Sequence, residues 1–442
     1  MLLNLLKNNS NENFLLSRFF KRLWKFLLQK IKDFFFILIN FFYIFKLIKY
    51  KLKSQKIFLI ANPAIGHYPI DLYLASKIYG EKSIFVFKSG LNFANKYLVK
   101  KIYENYNVKN NYEILTSLQE SVERLTMSLV SFEKCPGILH PTEKHNYAKY
   151  LDGESKIFDF NESENNEGLT FLKKHNIEKE KFICFIIRTS EYYDSMNKSS
   201  REENYSYRNV NQENYVQVLK YLINKGYKII RMGKGTKSKF PFEHKNFIDY
   251  SLSKDRSDFL DIWLSANCKF FLHSGTGIGV IPLLFNVPIV STEQMTPLRT
   301  LSWLPKSIHL PRPIKNRNNK MLNVKEIIEY GLHWKVVQSE YDKLKIRPIE
   351  NEPEEILNAV IEMENQIEKG FIISNMNMEF WHKTKKVWEN YTFKNKKNNK
   401  PYEYADRFTF AHWHKINGIK TIIPDFYLKK YADTYLNYDE NN

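Results

Sequence analysis

The chain has 442 residues, and 67 lysines and arginines against 48 acidic residues give it a formal net charge of +19. This length exceeds the size at which one hydrophobic core keeps growing, so at least two domains are expected. Hydrophobic residues at 43% and aromatic residues at 15% argue against a disordered chain. The three cysteines, Cys135, Cys184 and Cys268, lack metal-ligand spacing, which argues against a disulfide framework or zinc site and favours a reducing compartment.

The N-terminal segment is basic and apolar. Residues 1–56 contain 12 lysines and arginines but two acidic residues, and the remaining positive charge is spread without a recognisable nucleic-acid module. Residues 19–31 place aromatic and aliphatic side chains at helical spacing between basic ones, as in helices that lie on anionic membranes. The apolar stretch 34–45 is shorter than the roughly 20 residues of a transmembrane helix.

We therefore predict that residues 1–54 form an amphipathic anchor on an anionic membrane surface, with the protein at the cytoplasmic face of the inner membrane. A helical hairpin packed on the body is the alternative interpretation. No small-residue cleavage site follows the apolar stretch, which argues against a cleaved signal peptide.

The next segment alternates strand and helix patterns. Residues 56–61 and 83–87 are short β-type runs, and helical patterns follow each of them, through Tyr79 and over 95–106. Such a series favours a parallel α/β sheet. We predict a Rossmann-like acceptor domain over 55–160, closed by an acidic, asparagine-rich linker at 152–167.

A second α/β series predicts a doubly wound domain over 161–350, in which ligands bind at the carboxyl ends of the strands. The last part of the chain, 351–442, is predicted to be a helical C-terminal extension. The strands of the second series are predicted at 182–188, 227–232, 247–250, 268–272 and 288–291, and its helices at 212–225, 256–266, 280–286 and 325–330, with a further helix at 354–369.

The strongest local signal is the sequence HSGTGIG, in which an apolar strand leads to Ser274, Gly275, Thr276 and Gly277 and then to a helix. Free amides at a helix start, with hydroxyl groups beside them, suit a phosphate or diphosphate. The alternative is that the glycines only permit tight packing of helix on sheet. The pattern is neither the dinucleotide-binding fingerprint nor a P-loop, which argues against a dehydrogenase or an NTPase.

Two cations follow neighbouring strands of the same predicted sheet. Arg188 ends one strand, and Gly233-Lys234 ends the next. With the amides of HSGTGIG, these cations would offset a diphosphate charge without a metal. No DxD triplet is present to hold a divalent cation. The alternatives are a surface salt bridge of Arg188 with Asp194 and a solvated Lys234.

The order FICFIIR, YKIIRMGKG, FIDYS and CKFFLHSGTGIGVIPLLFNVPIV resembles the donor domain of GT-B glycosyltransferases, in particular bacterial surface-polysaccharide enzymes, over 182–298. The resemblance implies two Rossmann-like domains, a nucleotide-sugar diphosphate at HSGTGIG and a donor-sugar contact by Glu293. The sequence is also similar to non-hydrolysing nucleotide-sugar 2-epimerases. Their usual Asp-Ser-Gly-Gly is here His273-Ser274-Gly275-Thr276, which favours the transferase.

An inverting transferase needs a base that accepts the proton of the acceptor hydroxyl. His67 lies in the loop after the first predicted strand, and Asp71, one helical turn later, is placed to orient its imidazole. The alternative is that Asn62, Gly66 and His67 form a turn that caps the helix, and a retaining enzyme needs no such base. We thus predict a metal-independent glycosyltransferase with no cofactor beyond its nucleotide-sugar donor, acting on a lipid-linked or surface-glycan acceptor. A nucleotide-sugar 2-epimerase and a non-catalytic membrane-associated binding protein are the alternatives.

Overall fold

The computed structural model describes residues 23–28, 30–31, 35, 45, 48–60, 62–87, 92–106, 133, 156–191, 205–299, 304–332, 337–395 and 419–437. These residues belong to two compact units. The smaller unit comprises Met1–Pro63, Tyr79–Asn92 and Tyr106–Cys135, and the larger comprises Ala64–Ile78, Phe93–Asn105 and Pro136–Asn442. Asp194, the partner of Arg188 in the alternative ion pair, and Cys135 lie outside the described residues.

The smaller unit contains a parallel pair of strands, β1 (Lys56–Ile60) and β2 (Ser83–Phe87), in register from one end to the other. Both strands were predicted from their apolar runs. The rings of Phe58 and Phe85 stack across the pair with centroids 5.7 Å apart. Glu133 extends the ladder, because its amide donates to the Ile57 carbonyl (2.8 Å) and its carboxylate accepts from Lys56 Nζ (3.1 Å).

The larger unit is built on one sheet of seven strands, all of whose neighbours pair in parallel, in the order β11-β8-β7-β6-β3-β4-β5. The strands β9 and β10 form a separate antiparallel pair. Buried parallel strands read as continuous apolar runs, which is why most of them were recognisable. The strands are β3 (Phe182–Ile186), β4 (Lys228–Arg231), β5 (Phe247–Ile248), β6 (Phe271–His273), β7 (Ile289–Gln294), β8 (Ser307–Pro311), β9 (Ile314–Asn316), β10 (Ile346–Pro348) and β11 (Thr421–Ile422).

Helices separate the strands, so the chain is a mixed α/β protein with a large parallel sheet. Several helix starts follow ordinary capping chemistry: Ser257 accepts from the Leu260 amide, and Pro353 stands at the first turn of its helix. The helices are α1 (Tyr68–Tyr79), α2 (Lys96–Asn105), α3 (Glu162–Lys174), α4 (Val216–Asn224), α5 (Asp258–Asn267), α6 (Val280–Leu284), α7 (Val324–Glu329), α8 (Gln338–Leu344), α9 (Pro353–Lys369), α10 (Asn375–Asn395) and α11 (Asp425–Leu436).

The acidic segment predicted as a linker at 152–167 is helical from Glu162 onward, so that prediction was wrong over its last six residues. Asn161 accepts from the Glu164 amide (2.9 Å), and Glu164 accepts from the Asn161 amide (2.8 Å). This capping box starts a helix even in polar sequence, because it satisfies two amides that would otherwise lack partners.

The C-terminal region is not purely helical. Besides α9, α10 and α11 it supplies β11, which pairs with β8 and forms one edge of the seven-stranded sheet. Trp381 and Tyr427 from this region are fully buried in the hydrophobic core of the larger unit. Among the described residues, no helix combines the length and apolar character needed to cross a bilayer.

Gly168 provides a test of the packing between α3 and α5. A Cβ atom at this position would lie 2.1 Å from the indole of Trp263, which is itself buried. We expect Gly168→Ala to lower the free energy of unfolding by about 1–3 kcal/mol, because the indole has to move within a packed interior. Urea denaturation measures the change. The exposed neighbour Asn166→Ala serves as the control, and equal stability of the two variants would contradict this packing.

Candidate functional site

The candidate site lies where β3 and β6 end, side by side in the sheet. The Arg188 amide donates to Ser274 Oγ (2.7 Å), and the Ser274 amide donates to the Ile186 carbonyl (3.3 Å). The segment containing Arg188 and the loop 273–279, which the sequence placed at one sheet edge, are therefore in contact. Ser274 is buried, and Arg188 is half-buried.

His273 organises this loop from below. Its imidazole is buried, its Nδ1 accepts from the Thr276 amide (3.2 Å), and burial lowers its pKa to about 4, so it is neutral at pH 7. A Cβ on Gly279 would lie 2.4 Å from His273 Cε1. Gly279 thus serves tight packing, as the alternative interpretation held, and the Thr276 amide is already satisfied within the loop.

The loop also contacts a segment from the opposite end of the sequence. A Cβ on Gly66 would lie 2.9 Å from Gly277 Cα, and a Cβ on Gly277 would lie 3.3 Å from the Gly66 amide nitrogen. Both residues belong to the larger unit. The two backbones touch only because neither residue has a side chain. His67, the predicted base, follows directly after this contact.

Two residues that the sequence did not single out border Gly275. Arg208 Nη2 donates to the Gly275 carbonyl (2.6 Å), and Gln294 Nε2 lies 3.4 Å from the position a Gly275 Cβ would take. Gly275 itself has a φ of +62°, a conformation that favours glycine. Arg208 lies in a long polar loop without hydrophobic periodicity, so no pattern in the sequence pointed to it.

Glu293 is buried next to Gln294 in a bulge of β7, where the pairing with β8 shifts register. Its carboxylate accepts from Arg312 Nε (2.5 Å) and from the Asn351 amide (3.2 Å). Burial raises its pKa to about 7, with the Arg312 guanidinium opposing the rise. The side chain is only 1% exposed, and its predicted contact with a donor sugar stays a prediction.

Gly233 and Lys234 have structural partners. A Cβ on Gly233 would lie 2.6 Å from Thr236 Oγ1, and the Gly233 carbonyl accepts from Arg256 Nε (2.9 Å). Lys234 Nζ donates to the Ala94 carbonyl (2.7 Å) and to Asp258 Oδ1 (3.3 Å). The ammonium group is therefore not merely solvated, and a role toward a diphosphate stays a prediction.

His67 and Asp71 lie one turn apart, as predicted. The His67 amide donates to the Ala64 carbonyl (2.9 Å), forming the expected turn, and the Asp71 amide donates to the His67 carbonyl (3.0 Å). Asp71 is half-buried, and burial alone raises the pKa of its carboxyl to about 7. Within the described part of the chain, no hydrogen bond or ion pair to this carboxylate is found.

A scan of protein-family models and a search of curated proteins give no match. A solved glycosyl transferase family 9 structure from Veillonella parvula DSM 2008 is similar at 12% identity and a TM-score of 0.40, covering 71% of this chain and 97% of that chain. ADP-heptose LPS heptosyltransferase II from E. coli follows at 13% identity and a TM-score of 0.38, covering 71% and 100%. UDP-GlcNAc 2-epimerase from Methanocaldococcus jannaschii has 11% identity and a TM-score of 0.24, covering 61% and 70%. Because the identities are 11–13% and the TM-scores are 0.40 or lower, the function of this chain rests on its own residues.

Within the described residues, Cys184 and Cys268 are free and buried. Within the described ranges, no group of three or more His, Cys, Asp or Glu side chains is arranged to hold a metal ion. Metal independence nevertheless remains a prediction.

The raised pKa of Asp71 predicts a dependence of stability on pH. The carboxyl titrates near pH 7 in the folded state and near pH 3.9 in the unfolded state, so the wild type loses stability as the pH rises from about 4 to about 7. Asparagine does not titrate. We expect Asp71→Asn to match the wild type at pH 4 and to exceed its free energy of unfolding by roughly 2–3 kcal/mol at pH 8. Urea denaturation at both pH values measures this, and parallel pH dependences would contradict it.

Proposed function

We propose that this chain transfers a sugar from a nucleotide-sugar donor to an acceptor hydroxyl, at the surface formed by residues 64–67 and 273–277. The contact between Gly66 and Gly277 carries the proposal. Because of this contact, His67, which the sequence predicts to be the base, directly follows a residue that touches the loop predicted to bind a diphosphate. Donor and acceptor would thus meet on one side of this contact.

On the donor side, positive charge comes mainly from arginine. Arg188 is bonded through its amide to Ser274, and Arg208 is bonded through its guanidinium to the Gly275 carbonyl. The helix that follows, α6, has five residues, and His273 already takes the Thr276 amide, so the helix terminus adds little. Guanidinium groups bind phosphate oxygens in pairs and keep their charge at all physiological pH values. They would stabilise the leaving diphosphate without a divalent cation.

On the acceptor side, the base has to be able to accept a proton near pH 7. Asp71, with its pKa raised to about 7, meets this condition, and His67, a residue type that often serves as a general base, lies one turn before it. We assign His67 as the group that accepts the hydroxyl proton. Asp71 is assigned as the group that orients the His67 imidazole or relays the proton from it. Both residues stand in the larger unit, with Gly66 and Gly277.

Transfer is tested with a panel of radiolabelled nucleotide sugars and a membrane extract as the source of acceptors. We expect one donor to be bound and its sugar to appear in an extractable product. Arg188→Met and Arg208→Met are expected to weaken donor binding, and the exposed Arg347→Met is the matched control. Isomerisation of a nucleotide sugar without acceptor would support the epimerase instead. Absence of binding across the panel would support the non-catalytic alternative.

We also propose that the N-terminal segment binds an anionic membrane surface and so brings a lipid-linked acceptor to the site, at the cytoplasmic face of the inner membrane. In its described part, residues 23–28 are helical, and Trp24, Leu27 and Ile31 are 64%, 45% and 53% exposed. Lys25 and Lys30 are exposed as well. Exposed apolar side chains beside lysines suit the boundary of an anionic bilayer.

Co-sedimentation with phosphatidylglycerol-containing and phosphatidylcholine vesicles tests this membrane surface. We expect binding to the anionic vesicles only, and its loss in the double variant Trp24→Ser/Leu27→Ser. Leu169→Ser removes an equally exposed leucine from α3 and is the control. Equal sedimentation of both variants with anionic vesicles would overturn the assignment.

A further inference from the structure

Arg312, the residue after β8, lies behind the candidate site rather than in it. Its guanidinium is buried, and it donates from Nη1 to the Tyr207 carbonyl (2.5 Å) and from Nη2 to the Asn209 carbonyl (3.0 Å). These two carbonyls flank Arg208. Arg312 therefore fixes the turn that carries the arginine bonded to Gly275.

The third donor of the same guanidinium, Nε, is bonded to Glu293 in the bulge of β7. Asn351 links the strands β7 and β8 next to this ion pair, because its side chain accepts from the Glu293 amide (2.8 Å) and donates to the Pro311 carbonyl (2.8 Å). Glu293 has a φ of +59°, a strained conformation for a residue with a side chain. The side-chain amide of the next residue, Gln294, lies beside Gly275, and its Nε2 donates to Ser291 Oγ (2.6 Å) and to the Thr292 carbonyl (3.3 Å) of the same strand.

A buried ion pair is a costly way to stabilise a fold, since packed hydrophobic residues of similar volume are often as good or better. What an arginine adds is a planar fork of donors in fixed directions. Here the three nitrogens of that fork reach three separate acceptors. Two of the connected elements end beside Gly275, where Arg208 Nη2 and Gln294 Nε2 lie 3.5 Å and 3.4 Å from the position that a Cβ would take. The arrangement fits a requirement for geometry rather than for stability alone.

We infer that the Arg312–Glu293 pair is a positioning unit, which holds Arg208 beside Gly275 so that its guanidinium binds the diphosphate of a nucleotide. This inference rests on the proposed function, because it takes the surface at Gly275 as the diphosphate site. Neither Arg312 nor Glu293 contacts the nucleotide. They act through Arg208.

Arg312→Lys is the informative substitution. A lysine keeps a positive charge next to Glu293, but its single ammonium cannot reproduce the directions of the guanidinium bonds to Tyr207 and Asn209. Calorimetric titration of the wild type with UDP, GDP, CDP and ADP first identifies the nucleotide that binds. For that nucleoside diphosphate we expect Arg312→Lys to weaken binding by about 10- to 100-fold, as misplacement of a binding group by about 1 Å does. Binding of the corresponding nucleoside, which lacks phosphates, should not change.

A double-mutant cycle with Arg208→Met separates positioning from general damage. If Arg312 acts through Arg208, the double variant should bind the diphosphate no more weakly than Arg208→Met alone. Additive losses, or equal losses for nucleoside and diphosphate, would overturn the inference. Glu293→Gln keeps an acceptor for Arg312 Nε and replaces Arg312→Lys in the cycle if that variant does not fold.

The outcomes for this inference and for the proposed function are distinct. Wild-type protein that binds none of the four nucleotides would overturn the nucleotide site and the inference with it. Wild-type protein that binds one of them, together with an Arg312→Lys variant that binds it equally well, would overturn the positioning unit and leave the nucleotide site intact.

Discussion

Replacing Arg312 by methionine is expected to lower the free energy of unfolding by about 3–5 kcal/mol, because it leaves the Glu293 carboxylate buried without its cation. The carboxylate has 1% and the guanidinium 2% exposed side-chain surface, so water cannot take over either partner. The substitution also removes the donors to the Tyr207 and Asn209 carbonyls. Urea denaturation at pH 8 gives the measurement, and Arg347→Met, at an exposed arginine, should change stability by no more than about 0.5 kcal/mol.

The loss in Arg312→Met should depend on pH with a defined sign. Without the guanidinium, the pKa of Glu293 rises further above its unfolded value of about 4.3, so the folded state holds its proton while the unfolded state releases it. The wild type, in which the pKa of Glu293 is about 7, and the variant are therefore both expected to lose stability as the pH rises from about 4 to 7. Above about pH 7 only the variant continues to lose stability, so the difference between the two grows toward pH 8, where Arg312→Met/Glu293→Gln should recover part of it. A loss below about 1 kcal/mol that does not vary with pH would contradict the pair as described.

Removal of the proposed base is expected to have the largest effect on the reaction. His67→Ala should lower kcat for sugar transfer by about 100- to 10,000-fold, the usual contribution of a general base. Affinity for the donor nucleotide should stay unchanged, because the base acts on the acceptor hydroxyl. Single-turnover transfer together with calorimetric nucleotide binding measures both quantities on the same preparation. Asp433→Asn, at an exposed acid in α11, is the control for each.

The pH profile distinguishes the role of Asp71. Because its pKa is raised to about 7, kcat/KM for the acceptor should fall as the pH drops below about 7, when the carboxyl takes up a proton. Asp71→Asn should remove the part of this acid limb that the carboxyl contributes. Full activity of both His67→Ala and Asp71→Asn would show that the reaction, if it occurs, needs no base at this position, as in a retaining transferase.

Much of the sheet could be predicted because parallel strands covered on both faces are continuous apolar runs. The runs 56–61 and 182–188 predicted two strands that begin at the observed first residues of β1 and β3 and extend one and two residues beyond their observed ends. The strand predicted at 268–272 was less accurate, since Cys268 ends α5 with its amide bonded to the Leu264 carbonyl and the strand begins at Phe271. The residue at which a helix ends depends on such single hydrogen bonds, which the hydrophobic periodicity of the sequence does not reveal.

The site was predictable only in part. Parallel strands of a doubly wound sheet end at the same edge, so the sequence predicted that Arg188 and Ser274 lie on one side of the sheet, and the Arg188 amide is bonded to Ser274 Oγ. The approach of Gly66 to Gly277 and of Arg208 to Gly275 depends on the tertiary path of loops that lack a repeating pattern. At Glu293, the strand β7 has a bulge, and a bulge changes the direction in which the following side chains point. The residue of this bulge that lies next to Gly275 is Gln294.

The edge strand β11 places a constraint on how the chain acquires its fold during synthesis. Residues 421–422 pair with residues 307–308, and Thr421 Oγ1 exchanges hydrogen bonds with the backbone of Leu304 (both 3.1 Å). Until that late segment leaves the ribosome, β8 presents an open row of amides and carbonyls to solvent, which is a template for pairing with another chain. Nascent chains halted before residue 421 should therefore be prone to aggregate at this edge.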